Sequence, residues 1–159
     1  MAKRSAGLLM YRRRDGGPEV FLVHPGGPFW AKKDLGAWSI PKGEYSEDED
    51  ALKAARREFT EETGFDTGFA ADDDFIDLGT IRQAGGKLVS VWAVEGDCDP
   101  AKLVSNTCMI EWPPRSGRQM EIPEVDRAAW FGKDEARERI LKSQAAVIAL
   151  LIARLGQAD

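Results

Sequence analysis

Apolar positions along the chain form short extended runs on either side of one helical stretch. Ser5 to Tyr11 and Val20 to His24 read as strands, separated by a turn at Asp15-Gly16-Gly17-Pro18. The loop PGGPFWAKKDLGAW follows, then a short extended piece at Trp38-Ser39-Ile40 and a Pro41-Lys42-Gly43 turn. Past this point the period changes. Leu52, Ala55 and Phe59 recur at the spacing of one buried helix face. Ser46 and Glu49 form a capping box that opens this helix at about Glu47. The helix runs to Thr63, and Gly64 sits where a left-handed cap belongs. Phe75 to Ile81 and Lys87 to Val94 then make a β-hairpin around Ala84-Gly85-Gly86. Cys108 to Trp112 and Arg127 to Phe131 are further strands; Asp134 to Leu141 and Gln144 to Leu155 are helices, the second capped by Ser143. Strands on both sides of a central helix, with helices at the end, predict an α/β (α+β) sandwich. No repeat or low-complexity linker interrupts it, so residues 1–159 read as one domain.

Composition narrows what such a domain can do. With 159 residues, 43% hydrophobic content and a formal net charge of -5, the chain has the makeup of an ordinary soluble globular protein. Acidity argues against indiscriminate binding to nucleic acid or anionic membrane, so a polyphosphate ligand needs local Lys/Arg or a bridging metal. The apolar run near the N-terminus is too short for a signal peptide, and AAVIALLIA is too short to span a bilayer. Cys98 and Cys108, without a C-x-x-C, point to a reduced, cytoplasmic setting. A single histidine, His24, excludes H-E-x-x-H zinc sites, which need two imidazoles. At the end of the run EVFLVHP it reads as a packed structural residue. Chemistry must come from carboxylates and Lys/Arg, with or without a metal.

The carboxylates are crowded into the predicted helix. At 100° per residue, Glu61 and Glu62 flank Glu58 at about -60° and +40°, so the three share an arc of roughly 100°. Ala51 and Ala54 fall within that arc and leave it uncovered. Like charges at these spacings repel by a few tenths of a kcal/mol per pair, and the helix C-terminus disfavours them further. A solvated acidic face is one reading of this cluster. The other is a site for a hard cation such as Mg²⁺, which reverses the sign of the repulsion.

The flanking residues decide between them. Gly43, Glu49, Arg57-Glu58-Phe59, Glu61-Glu62 and Gly64-Phe65 match G-x5-E-x7-R-E-U-x-E-E-x-G-U, with U apolar, at nine constrained positions. This segment resembles the box of the Nudix hydrolases. The resemblance implies a mixed sheet between helices, with the box as a loop-helix-loop. It also implies Mg²⁺- or Mn²⁺-dependent hydrolysis of a nucleoside diphosphate linked to another group. Glu58, Glu61 and Glu62 would be metal ligands, one of them doubling as base. Gly43 would offer its carbonyl, and Arg57 would pair with Glu49 and orient the carboxylates. A further acid from outside the box is expected, with Glu121 and Glu124 the candidates.

The segment AWSIPKGE is similar to the approach to the box in relatives acting on dinucleoside polyphosphates, which makes Lys42 a candidate phosphate contact. Phe29-Trp30 with Lys32 and Lys33, and Trp112 with Arg115 and Arg118, pair an aromatic with cations, as base stacking and phosphate binding require. Surface lysine and core aromatic are the competing readings. Two departures stand beside the match. The downstream Tyr of dinucleoside polyphosphate hydrolases is replaced near Arg82, and the Pro of ADP-ribose pyrophosphatases is replaced by Gly79-Thr80. The leading expectation is a pyrophosphohydrolase cutting diadenosine tetraphosphate to AMP and ATP. A (deoxy)nucleoside triphosphate pyrophosphohydrolase is the alternative, and a non-catalytic nucleotide-binding module the outside one. A small nucleotide is the expected partner, with the chain a monomer or homodimer.

Overall fold

Seven consecutive residues of β1 (Arg4–Arg14), Ser5 to Tyr11, are buried, which explains why its polar–apolar alternation is weak. A strand reads as continuously apolar when both its faces are covered. The computed structural model describes residues 4–157; the two ends of the 1–159 span lie outside them. β1 pairs antiparallel with β2 (Gly17–Pro25) and with the short β3 (Lys42–Glu44). After α1 (Ala51–Thr63) come β4 (Ile76–Arg82) and β5 (Leu88–Glu95), the latter parallel to β1. β6 (Thr107–Glu111) and β7 (Gln119–Pro123) form a separate two-stranded sheet, and β8 (Val125–Gly132) closes the main one. Its strand order is β4-β5-β1-β2-β8, with β3 beside β1. α2 (Lys133–Arg139) and α3 (Ala146–Gln157) follow.

The faces of β1 divide the core. Leu8 and Met10 pack with Phe21, Phe59 and Val94 under α1, while Leu9 and Tyr11 pack with Trp38, Ile148 and Leu151 on the α3 side. Ala6 meets Ala54 and Ala55, small residues that bring α1 close to the sheet. The predicted sandwich of a mixed sheet between helices is therefore present. Among the described residues, no helix is long and apolar enough to cross a membrane.

Several local expectations are corrected. The Pro41-Lys42-Gly43 turn is the entry to a strand, because Lys42 to Glu44 pair with Ser5 to Gly7. α1 begins at Ala51 rather than Glu47, and its cap is Asp50, whose carboxylate accepts from Lys53 N at 3.1 Å. The Ser46–Glu49 capping box does not form, since the Glu49 carboxylate is taken by Arg57. Gly64 ends the helix as predicted, at φ 79°. β7 was not anticipated, and a 3-10 turn at Lys142–Gln144 takes the place of a Ser143 cap. In that turn Gln144 is fully buried and hydrogen-bonds Ile40 N and Ser39 Oγ, tying α3 to the segment before the acidic helix. The Asp50 cap gives a first test. Asp50→Ala is expected to cost about 1 kcal/mol, read as a lower urea midpoint at unchanged slope.

Candidate active site

β3, α1 and the loop between them bring Gly43, Glu49, Arg57 and Glu58 within contact of one another. Arg57 is the hub. Its Nε and Nη2 bind Glu49 as a fork, at 2.8 and 2.9 Å, and its Nη1 donates to Glu58 at 2.8 Å and Glu61 at 3.2 Å. Planar guanidinium suits this arrangement, because two edges of one rigid group address different carboxylates. The fork holds the Glu49 carboxyl below its usual range, and the Arg57 guanidinium is raised in turn.

Glu58 is 8% exposed, a rare placement for a carboxylate. Its pKa is raised, chiefly by burial, against the opposing pull of Arg57. Gly43 makes that burial possible: a Cβ there would overlap the Glu58 carboxylate. The main chain at Gly43 and the Glu58 side chain therefore approach as only glycine permits. Glu62 Oε1 accepts from the Lys42 backbone N–H at 3.3 Å. Burial and the neighbouring Glu124 push the Glu62 carboxyl up to about 8, with Lys42 opposing. Burial and then Lys87 push the Lys42 ammonium down.

A family comparison decides what this hub belongs to. The model of the NUDIX domain matches residues 1–151. The chain belongs to the Nudix family. It is a Nudix hydrolase, of a class that cleaves phosphoanhydride bonds and generally uses divalent metals. Solved structures agree at the level of the fold. Ap4A hydrolase from C. elegans, as a binary complex, is 21% identical with a TM-score of 0.62, covering 98% of this chain and 99% of that one. The NUDIX domain of Shewanella oneidensis NrtR, complexed with ADP ribose, is 16% identical with a TM-score of 0.63, covering 98% and 89%. The Nudix hydrolase RenU from M. smegmatis is 19% identical with a TM-score of 0.55, covering 99% and 88%.

The Nudix carboxylates share one arc of α1, but their side chains do not converge. Glu58 and Glu61 turn to Arg57, while Glu62 turns to the Lys42 N–H. Among the described residues no three His, Cys, Asp or Glu side chains form a ready cage. Even so, the donor set suits a hard divalent ion. It is all oxygen, it carries mutually repelling carboxylates, and the Gly43 main chain lies against one of them. Glu58, Glu61, Glu62 and Gly43 are the box residues that would hold it.

Of the two acids outside the box, Glu124 shares the cleft with Glu62 and Glu121 does not line it. The β6–β7 register explains the difference. Ile122 faces the cleft opposite Cys108, so its neighbour Glu121 points to the other side of the ribbon. The cleft holds about 400 Å³, with Phe29 and Trp30 on one wall and Ile110 and Ile122 on the other. A smaller adjoining cleft of about 180 Å³ also contains Glu62 and Glu124, together with Lys42 and Ser39. Lys33 Nζ stacks over Phe29 at 4.1 Å, and Lys32 is exposed. Trp112, Arg115 and Arg118 sit at the turn end of the β6–β7 ribbon and line neither cleft. His24 is structural: it is fully buried between Asp126, at 2.9 Å, and the Lys33 carbonyl, at 2.7 Å. Sequence reading missed Ile110 and Ile122, which the folded β6–β7 ribbon brings to the cleft, and Asn106, whose main chain bonds Glu61 and Glu124; none of the three carries a motif.

Proposed function

We propose that the protein is a Mg²⁺- or Mn²⁺-dependent pyrophosphohydrolase, of a single Nudix domain, that cleaves a dinucleoside polyphosphate such as diadenosine tetraphosphate. The observation that carries this reading is the cleft itself. An aromatic and apolar slot large enough for a base runs directly into the Glu62–Glu124 wall and on to Lys42. One nucleoside end stacks on Trp30 between Ile110 and Ile122. The polyphosphate then passes Glu62 and Glu124 toward Lys42, which lines the adjoining cleft. The near end-to-end likeness to C. elegans Ap4A hydrolase supports the same assignment.

Each residue has a role that follows from its surroundings. Arg57 clamps Glu49 and keeps Glu58 and Glu61 aligned. Glu58, Glu61, Glu62 and the Gly43 carbonyl hold the ion, with Glu124 as the acid from outside the box. A bound divalent ion supplies charge neutralisation and polarisation of phosphoryl oxygens. Glu61, the exposed carboxylate of the box, takes the proton from the attacking water. Lys32, Lys33 and the Trp112-Arg115-Arg118 group are left at the periphery. A cytoplasmic setting, with Cys98 and Cys108 free, and a monomer or homodimer complete the reading.

The test compares kcat/KM for diadenosine tetraphosphate, ATP, dGTP, oxidised dGTP and ADP-ribose at equal Mg²⁺. Diadenosine tetraphosphate should lead, with AMP and ATP as products. Trp30→Ala should raise its KM by the equivalent of ~1–3 kcal/mol, the usual worth of one stacked base. ADP as main product, or a preference of about tenfold (1.4 kcal/mol) for a nucleoside triphosphate, would overturn the substrate and favour nucleotide-pool hydrolysis.

A further inference from the structure

The acid outside the box must keep station against a helix that it does not belong to. One residue bridges the two. The Asn106 backbone N–H donates to the Glu61 carbonyl at 2.9 Å, and its carbonyl accepts from Glu124 N at 2.9 Å. Asn106 is thus bonded through its main chain to one carboxylate-bearing residue on each side. Its side chain addresses the same pair. With the amide assigned so that nitrogen faces acceptors, Nδ2 lies 3.3 Å from Glu124 Oε2 and 3.3 Å from the Glu61 carbonyl.

The flanking bonds fix the same register. Val104 N donates to the Thr63 carbonyl at 2.9 Å, satisfying another orphan carbonyl at the end of α1. Ser105 Oγ accepts from Val125 N at 3.0 Å. Segment 104–106 therefore laces the last turn of α1 to the Glu124–Val125 main chain, with the Asn106 amide aimed at the Glu124 carboxylate.

We propose that Asn106 is a positioning residue that holds the Glu124 carboxylate toward the box carboxylates and thereby sets metal affinity. The proposal rests on the reading above that Glu124 serves the metal. Amide chemistry fits the task. A lysine here would neutralise Glu124 and compete with the cation, and an aspartate would repel it. Asparagine supplies an N–H donor without charge, leaving the carboxylate its attraction for the ion.

The experiment is a double-mutant cycle read by Mn²⁺ binding to the intact protein, with free Mn²⁺ followed by EPR and no substrate present. Glu124→Gln should weaken Mn²⁺ binding by about tenfold, and Asn106→Leu by a similar factor, the usual effect of removing an outer-shell partner. In the Glu124→Gln background, Asn106→Leu should change the Kd by less than about twofold, because the group it acts through is gone. Melting temperature in EDTA should move little for Asn106→Leu, whose backbone bonds persist. If Asn106→Leu does not fold, Asn106→Ala enters the same cycle. An unchanged Kd in Asn106→Leu, or equal weakening in both backgrounds, overturns the role of Asn106 alone. An unchanged Kd in Glu124→Gln removes the reading of Glu124, and this inference with it.

Discussion

Glu62→Gln and Glu61→Gln are each expected to lower turnover by at least ~100-fold, about 2.7 kcal/mol of barrier, and EDTA to abolish activity in the native protein. The magnitude follows from geometry and charge. Glu62 is half-buried beside Glu124, tied by one hydrogen bond to the Lys42 main chain. Removing its charge keeps the shape and the hydrogen bond but takes away part of the attraction for the cation. Glu61 is more exposed and shares Arg57 with Glu58, so its substitution also unbalances the hub. Unchanged turnover in EDTA, or in both variants, would remove the proposed metal site.

The same variant carries a second, oppositely signed effect. The Glu62 carboxyl is pushed up to about 8, first by burial and then by Glu124, from an ordinary value of 4.5. Between those values the folded protein binds a proton that the unfolded chain has released, so stability falls as pH rises. In EDTA, native melting temperature should therefore decline from about pH 5 to pH 8 and level off once Glu62 in the folded protein has itself ionised. Glu62→Gln should flatten that decline and melt higher than the native protein at pH 9. Metal binding runs the other way, since it requires the ionised carboxylate, and should tighten over the same interval. A variant that is more stable yet inactive is the signature of a charge kept for function. An identical pH slope in Glu62→Gln would assign the slope to other groups.

What the sequence made legible was periodic or fixed in spacing. Leu52, Ala55 and Phe59 marked the inner face of α1, and Phe59 is indeed fully buried beneath it. Gly43, Glu49, Arg57 and Glu58 were spaced for an assembly that the folded chain brings within bonding distance. Illegible features depended on distant partners. Pro41-Lys42-Gly43 looked like a turn because the three residues of β3 pair only when β1 is already in place. β7 was invisible because its mostly exposed residues pair only with β6, and that pairing in turn builds the Ile110–Ile122 wall of the cleft. The aromatic-and-cation group at Trp112 has the right residue types, but the β6–β7 ribbon holds it at the turn end, away from Glu62. Ser46 lost its capping role because Arg57, a charged donor, outcompetes a backbone N–H for Glu49.

That competition underlies the remaining large effect. Arg57→Lys should lower kcat by ~10- to 100-fold while changing KM by less than about threefold. An ammonium is a point charge: on the Glu49 side it cannot reproduce the 2.8 and 2.9 Å fork, and from that position it cannot also reach Glu58 and Glu61. Glu58 would then stand buried against Gly43 without its partner and would protonate more readily, since burial already shifts it upward and Arg57 is the chief opposing influence. Folding should suffer less than catalysis, because the Arg57 side chain is 38% exposed and ion pairs at that exposure contribute little. Nothing in the cleft requires Arg57 to touch substrate, as its donors are all engaged with Glu44, Glu49, Glu58 and Glu61. A change confined to KM would mean that Arg57 binds the phosphate chain directly, and would overturn its place as the clamp of the carboxylates.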